Sequence, residues 1–502
     1  MRRRAQRRRT VGGPFAALIA GACFLPSGDA AAQDDPAPAS LIVCVSSAGQ
    51  RQSCETNARN GVTLVRSIGS SPCERGQTWG YDQGVVWVAN GCSAEFAVAR
   101  QTRKLFGTYT PLRGFTLVDT DDGTVVFKIY AYVRYLNQLG LDKRFVDAFR
   151  DTSAIQLRQD IQFQKVLIHF LGWFLNENFR YHVYGWTSNT SQGLATQVVI
   201  AGDLTYKVDD HLTIGGGTAS LPGARTTEGN FPLWLSADNR VIADEFFRPS
   251  YTFGVWIYGS LAKGLDYRTM LGNNLSQLGV DAGQLDHTLN TWSSVLVWMP
   301  TTKEFGTLGG FGDFDDHQKV ATRIGLHYTR SDENFQGQLS NSSFDNVQIR
   351  LSDGNVIFKP DLFGAGIVVT DAAYHMGTVD AGIKYHGFSL EGEQYWRGIN
   401  HFRGPGTAAV HALWDYGFQA QASAMIVQKR LQGYAAASKV YGQFGDPWDA
   451  RFGVNWYPFK RQVVRWNLEY LRLSRSPVGG LSLPYAVGGN GYVIYSTFEV
   501  NF

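Results

Sequence analysis

Cysteine is absent after position 92, and no stretch beyond residue 32 holds the eighteen or so uninterrupted apolar residues that a membrane-spanning helix needs. A chain anchored by apolar helices is therefore excluded. Like charge is never clustered in a block after the first nine residues. The first thirty-two residues hold six arginines and Asp29, a net of +5, so without them the formal charge falls from +3 to +3 − 5 = −2. Nothing here recommends nucleic acid as a partner. Neither a Gly-Lys-Ser/Thr phosphate loop nor a Rossmann fingerprint occurs, and no cofactor is implied.

What is present begins with an export signal. Six arginines among nine residues precede a broken apolar run, Val11 to Leu25, and then Ala30-Ala31-Ala32, so residues 1–32 read as a signal peptide cleaved before Gln33. Cys23 raises a lipid anchor, but Ala20-Gly21-Ala22 before it is a poor acylation signal and apolar residues continue past it. Residues 33–39 are a short linker. An exported chain without a spanning helix is either soluble or a closed barrel, because a bilayer leaves no partner for unbonded backbone groups.

The chain's ending favours the barrel. Tyr492, Ile494, Phe498, Val500 and Phe502 share one strand face, broken only by Ser496, while Tyr495, Thr497, Glu499 and Asn501 share the other. One face suits lipid and the other water. The 56 glycines and 13% aromatic residues fit many short turns and interfacial aromatic belts.

Four of the five cysteines, Cys44, Cys54, Cys73 and Cys92, fall within forty-nine residues. In an exported protein such a set predicts two disulfides that hold a module at 40–98 too small for a self-sufficient core. Three pairings satisfy the sequence. Zinc is the competing reading, but there is no Cys-x-x-Cys pair and no histidine between Cys44 and Cys92, so no metal is assigned. Cys44-Val-Ser-Ser, Gly49-Gln-Arg51, Val62-Thr-Leu-Val-Arg66, Ser71-Pro-Cys73, Trp79-Gly80, Val86-Trp87-Val88 and Gly91-Cys92-Ser-Ala94-Glu-Phe96 follow one another in order. The series resembles the exported domain-of-unknown-function family 3011. That resemblance implies a small disulfide-linked, β-rich module of no established activity. Trp79 and Trp87 either stack on sugar rings of cell-envelope polysaccharide or fill a meagre core.

Residues 99–123 read as a linker, and 124–502 as an outer-membrane barrel. Val125, Phe127, Ile129, Ala131, Val133 and Tyr135 oppose Lys128, Tyr130, Tyr132 and Arg134; Ile155, Leu157, Ile161 and Phe163 oppose Gln156, Arg158, Asp160, Gln162 and Gln164. Phe179, Tyr181 and Val183 against Arg180, His182 and Tyr184 repeat the pattern, as do Val347, Ile349 and Leu351 against Gln348 and Arg350. Tight turns are expected at Asp209-Asp210, Asp353-Gly354, His386-Gly387 and Pro458 to Arg461, and long external loops at 216–248, 300–318, 330–344, 398–408 and 474–490. The remaining length accommodates about sixteen antiparallel strands, or eighteen, around a water-filled lumen. The fold class expected is all-β, a transmembrane barrel with a small N-terminal domain.

Gly453-Val-Asn455-Trp456-Tyr457-Pro458, then Val463-Val-Arg465-Trp466-Asn467-Leu-Glu469-Tyr470, resemble the penultimate strands of the phosphate-selective porin O/P family. Tyr385-His-Gly387-Phe388-Ser389-Leu390-Glu391-Gly392-Glu393-Gln-Tyr395 resembles its central hairpin, and Asp122-Gly123 before Val126-Phe-Lys128 its first strand. The similarity spans about 115–502 and implies a homotrimeric, sixteen-stranded porin whose inward-folded loop carries basic residues. Gly217-Thr-Ala-Ser-Leu-Pro222 lacks the lysine usual before that proline, which removes the argument for phosphate itself. The cysteine module replaces the family's helical extension.

Alternation places Lys128, Arg134, Arg158, Arg180, Arg323, Arg350, Lys359, Arg451 and Arg465 inward against Asp160, Glu391, Glu393, Glu469 and Glu499. Nine bases against five acids would concentrate anions. The segment 216–248 adds Arg225, Arg240 and Arg248, whose planar donors suit phosphate or carboxylate, unless they pair with Asp238, Asp244 and Glu245 and only stiffen the loop. Asp313-Phe-Asp315-Asp316-His317 is the one cluster fit for a barrel hydrolase or for Ca²⁺, or simply to be solvated, and no catalytic role is assigned to it. The expected function is passive diffusion of small hydrophilic, mildly anionic solutes across a Gram-negative outer membrane, in contact with its lipid. The alternative is an anchor or adhesin whose barrel displays the cysteine module for polysaccharide binding.

Overall fold

The computed structural model describes residues 40–56, 61–82, 85–98, 107–189, 197–276, 289–334, 349–480 and 482–502. The expected signal peptide, Cys23 and the 33–39 linker lie outside them. The chain divides into two compact units, Met1–Arg103 and Lys104–Phe502.

The first unit carries β1 (Ser40–Val45), β2 (Arg51–Glu55), β3 (Val62–Ser67), β4 (Trp79–Asp82), β5 (Val85–Ala89) and β6 (Ser93–Val98). They form two three-stranded antiparallel sheets, ordered β1-β6-β3 and β2-β5-β4. Of the three pairings open to the sequence, the structure has Cys44–Cys54, which ties one sheet to the other, and Cys73–Cys92. Between the sheets Val62, Trp79, Val86, Val88, Cys92 and Phe96 are buried. Trp79 is thus a core residue, while Trp87 is half-buried under the Arg51 guanidinium at 4.0 Å.

In the second unit β7 (Thr108–Thr110) and β8 (Gly114–Thr120) form a hairpin laid on the start of β9 (Gly123–Leu141), so part of the expected 99–123 linker is strand. The short β10 (Arg144–Val146) and β11 (Thr152–Ala154) pair with each other. The wall continues through β12 (Gln159–Phe174), β13 (Asn176–Asn189), β14 (Gln197–Lys207), β15 (Thr213–Ser220), β16 (Tyr251–Ala262), β17 (Leu265–Gly272) and β18 (Thr291–Trp298). It then runs through β19 (Ala321–Asn334), β20 (Asp371–Tyr385), β21 (Phe388–Arg403), β22 (Leu413–Val427), β23 (Leu431–Tyr441), β24 (Trp448–Trp456), β25 (Val464–Ser474) and β26 (Gly491–Asn501). Each strand pairs antiparallel with the next, and β26 returns to β9 from Gly491↔Leu141 to Asn501↔Tyr130. The result is a closed barrel of sixteen strands, β9 with β12 to β26. No described helix is long and apolar enough to cross a membrane.

The terminal strand shows why the sheet sorts its faces. Tyr492, Ile494 and Phe498 are exposed on the outside of β26, while Tyr495, Thr497, Glu499 and Asn501 are buried within. β25 behaves alike: Trp466, Leu468 and Tyr470 face out, Arg465, Asn467 and Glu469 face in. A charge on the outer face would lie in hydrocarbon. Leu468→Arg, mid-strand, is therefore expected to destabilise the lipid-inserted barrel by about 2–4 kcal/mol, read from urea unfolding in lipid vesicles. A smaller loss than about 1 kcal/mol would place this face in water.

The two rims differ. The tight turns at 208–212, 263–264, 386–387, 428–430 and 457–463 share a rim with the chain's end. The loop 299–320 opens on that same rim, since Trp298 pairs with both Leu265 and Ile324, and not with the long loops as expected. Strands alternate in direction, and no run between 251 and 298 is assigned from the sequence, so the side on which this loop opens is not fixed there. Asp353-Gly354 is no barrel turn either. It lies in the long connection between β19 and β20, where Arg350 and Val356 form an isolated bridge. Ile349 and Leu351 are buried there inside the barrel, while Val347 and Gln348 lie outside the described residues. Nor does 155–158 join a strand, because β12 begins at Gln159.

The lumen is not simply water-filled. Segments 221–250, 349–370, 475–480 and 482–490 fold inward and bury Leu221, Ile242, Phe247, Ile357, Phe358 and Tyr485 against inward side chains of the wall. The six-residue helix α1 (Ile242–Phe247) packs on β22, β23 and β24, and its unbonded leading N–H groups donate to Asp449 and Ser438. An apolar inward loop needs an apolar seat, and Phe247 stacks on Tyr395 of β21 with ring centres 5.1 Å apart.

Candidate functional site

The inward arginines are mostly anchors of these folded-in segments. The Arg225 side chain pairs with Glu391 at 3.0 Å and reaches the Gly309 carbonyl, while its backbone N–H donates to Glu393. Arg323 binds Asp380 at 2.7 Å and Glu228 at 2.5 Å. Arg465 pairs with Glu499 and Arg451 with Asp449, and each also holds a carbonyl of the 221–250 segment, Trp234 and Arg240 respectively. Arg134 donates to Gln162 and to the Ser482 carbonyl. Arg158 pairs with Asp160 at 3.3 Å, and Lys359, on an exposed loop, with Asp151. Arg350 lies in the folded-in connection, where its side chain donates to the Gly354 carbonyl and its own carbonyl accepts from Arg397 of β21. Lys128 faces inward beside His169, and Arg180 is exposed at a cavity mouth.

The nine-to-five surplus does not survive as a property of the interior. Among the described buried residues nine are Lys or Arg and eleven are Asp or Glu. Asp380, Asp415 and Asp449 are inward acids that the alternating runs did not include.

Two adjoining cavities lie between segment 221–250 and the wall from β12 to β19. A cavity of about 1150 Å³ is lined by Arg180, Asp203, Asp266, Arg268, Arg323 and the 304–309 stretch, among others. A narrower one of about 290 Å³ shares Asp203, Ala219 and Arg268 with it and lies where Arg240 and Arg248 face His169, His182, Tyr184 and Trp186. Arg240 and Arg248 share one carboxylate, Glu245, at 3.3 and 2.5 Å, whereas Arg225 pairs outside the set Asp238, Asp244 and Glu245. Lining this narrow space are four bases, Lys165, Arg240, Arg248 and Arg268, and two acids, Asp203 and Asp238. Of the bases, Lys165 is bound to Asp238 at 2.7 Å.

Arg268 escaped the sequence reading. Its strand, β17, offers only eight residues, Leu265–Gly272, between a two-residue turn and a long loop, too short a run for alternation to stand out. Asp266, Arg268 and Met270 are its inward set. The ring row His169, His182, Tyr184 and Trp186 was legible in part, since the inward face of β13 was assigned correctly.

Glu228, His327 and Asp380 bring three ligand-type groups within 4.8 Å of one another. Arg323 donates to both carboxylates, so its guanidinium already holds the position a cation would take. The acidic cluster of the 299–320 loop is likewise engaged. Asp313 accepts from His317 Nδ1 at 2.5 Å and from the Gly387 N–H at 2.8 Å, and Glu304 meets His317 Nε2 at 3.1 Å. With both ring nitrogens on carboxylates, neither is left to take a nucleophile's proton.

Burial of His317 works against its charge, but the hydrogen bonds that its ring donates to Asp313 and Glu304 outweigh it and set its pKa above the usual 6.5. A raised value means that this tether is complete below the ordinary imidazole pKa and is lost as pH rises through the raised one. The loop is expected to become more susceptible to limited proteolysis as pH rises above the ordinary imidazole pKa, and His317→Gln to abolish that dependence. A pH-independent cleavage rate in the unaltered protein would contradict it.

Residues 23–113 match the model of a family described as a protein of unknown function, DUF3011. No curated protein matches the chain. Solved structures with a similar barrel include an anion-selective porin from Comamonas acidovorans, at 10% identity and TM-score 0.47, covering 76% of this chain and 100% of the other. The outer membrane channel DcaP of Acinetobacter baumannii is 8% identical with TM-score 0.47, over 78% and 100%. Salmonella typhi OmpF is 11% identical with TM-score 0.45, over 77% and 99%. At such identities no solute or mechanism transfers to this chain.

Proposed function

We propose that the protein is an outer-membrane porin through which small hydrophilic solutes diffuse passively, with a mild preference for anions such as carboxylates. The observation that carries this reading is the narrow cavity, bounded by a folded-in segment on one side and the wall on the other, with four bases against two acids on its surface. In a low-dielectric channel such an excess raises the local anion concentration. The wall's sorted faces support insertion in lipid, and the resemblance to phosphate-selective porins supports a trimer. Arg240, Arg248 and Arg268 bear on the permeating ion, while Arg225, Arg323 and Arg465 hold the segment that narrows the path.

Planar-bilayer conductance of the purified chain in a KCl gradient tests it. A reversal potential on the chloride side is expected; a closed or cation-selective pore would remove the reading.

A second reading, the barrel as anchor for the cysteine module, draws on the packed core that fills much of the lumen. Retention of the full chain on cell-envelope polysaccharide, lost on substitution of Trp87, would favour it.

A further inference from the structure

We infer that the narrow cavity is a subsite for flat ring-bearing monocarboxylates, that is, aromatic acids; this rests on the porin reading and names its solute class. The cavity has aromatic surface on both sides. From the wall come Tyr184, Trp186 and Tyr251, from the folded-in segment Phe231 and Trp234. Tyr184 and Trp186 lie 5.6 Å apart and 16° from parallel, and Phe231 meets Trp234 edge-on at 5.1 Å. The wall rings also extend a row of near-parallel rings through His182 and His169. A path that served only hydrated ions would leave this aromatic surface wetted without return, whereas a planar ring covers it by stacking.

The polar groups select the rest of the ligand. Asp203 is engaged by His182 at 3.3 Å, and Asp238 by Lys165 and by the Tyr132 hydroxyl. Both carboxylates of the cavity are thus already turned to groups of the wall. What remains is a donor: Arg268 has no carboxylate within ion-pair distance among the described residues, and its Nε is buried without a hydrogen-bond partner. It stands where the narrow and wide cavities meet. A guanidinium of this kind takes a carboxylate in bidentate fashion. About 290 Å³ is at the lower end of ligand-site volumes, enough for one ring and its carboxyl.

Calorimetric titration of the detergent-solubilised full chain with benzoate, cyclohexanecarboxylate and acetate tests the assignment, alongside current blockade by the same acids in bilayers. Benzoate is expected to bind about tenfold more tightly than its saturated counterpart, and acetate not to saturate. Arg268→Gln is expected to weaken benzoate about tenfold, and Arg268→Lys to restore part of the loss, which separates charge from folding. Trp186→Leu should reduce the preference for benzoate over cyclohexanecarboxylate. Equal binding of the two ring acids, or benzoate binding unmoved by Arg268→Gln, would overturn the subsite. Conduction without ring discrimination would leave the porin reading intact, and ring binding without conduction would remove only that reading.

Discussion

Reducing both disulfides under otherwise native conditions is expected to unfold the N-terminal module while the barrel stays closed. The bridges close spans of 10 and 19 residues, and chain-closure entropy makes each worth about 3 kcal/mol. The module has little to set against that loss. Among the described residues nine buried hydrophobic side chains form its core, and domains of this size hold together only marginally. Cys44–Cys54 is the covalent tie between the two sheets, so its loss frees β2-β5-β4 from β1-β6-β3. The barrel has no cysteine and a continuous backbone ladder around sixteen strands. Limited proteolysis read by mass spectrometry should show new cuts within 40–98 in reductant, with 104–502 still resistant. An unchanged cleavage pattern would mean that the two small sheets hold without their bridges.

Sequence periodicity carried the wall of the barrel further than its contents. Where a strand faces lipid on one side and polar groups on the other, as β9, β25 and β26 do, two-residue alternation states both faces directly, and Tyr495, Glu499 and Arg134 lie where it placed them. The same rule fails for Ile349 and Leu351. An extended segment buried against a core inside the barrel alternates just as a wall strand does, and five residues do not distinguish the two. Ion pairing across strands was equally hidden. Arg465 opposes Glu499 in the register of β25 and β26, but Arg225 meets Glu391 over 166 residues of chain, a contact that only the folding of the loop creates. The excess of positive charge inferred from alternating runs does not hold for the buried interior, since Asp380, Asp415 and Asp449 lie on strands outside those runs. Arg268 shows the converse, a residue that gains importance because, among the described residues, no carboxylate lies within ion-pair distance of it and only the Trp256 ring lies under its guanidinium.

Replacing Arg225 with methionine is expected to release the folded-in segment and widen the pore. Arg225 is buried and joins three elements: the segment that carries it, the wall through Glu391 of β21, and the 299–320 loop through the Gly309 carbonyl. Glu391 is itself buried, and removing its partner leaves an uncompensated carboxylate, at a cost of about 3–5 kcal/mol. The barrel cannot relieve that charge by opening its ladder, because each wall strand is bonded on both sides. The segment can relieve it, by lifting at its first turn and letting water reach Glu391. Single-channel conductance should then rise, with added noise from segment motion, and the thermal transition should fall. Arg225→Met combined with Glu391→Leu removes the stranded charge as well, so the pair should recover much of the thermal stability that the single substitution loses, the coupling expected of a buried pair. Unaltered conductance in Arg225→Met, or a double variant no more stable than the single one, would show that the apolar seat of Phe247 and Ile242 holds the segment without help from this ion pair.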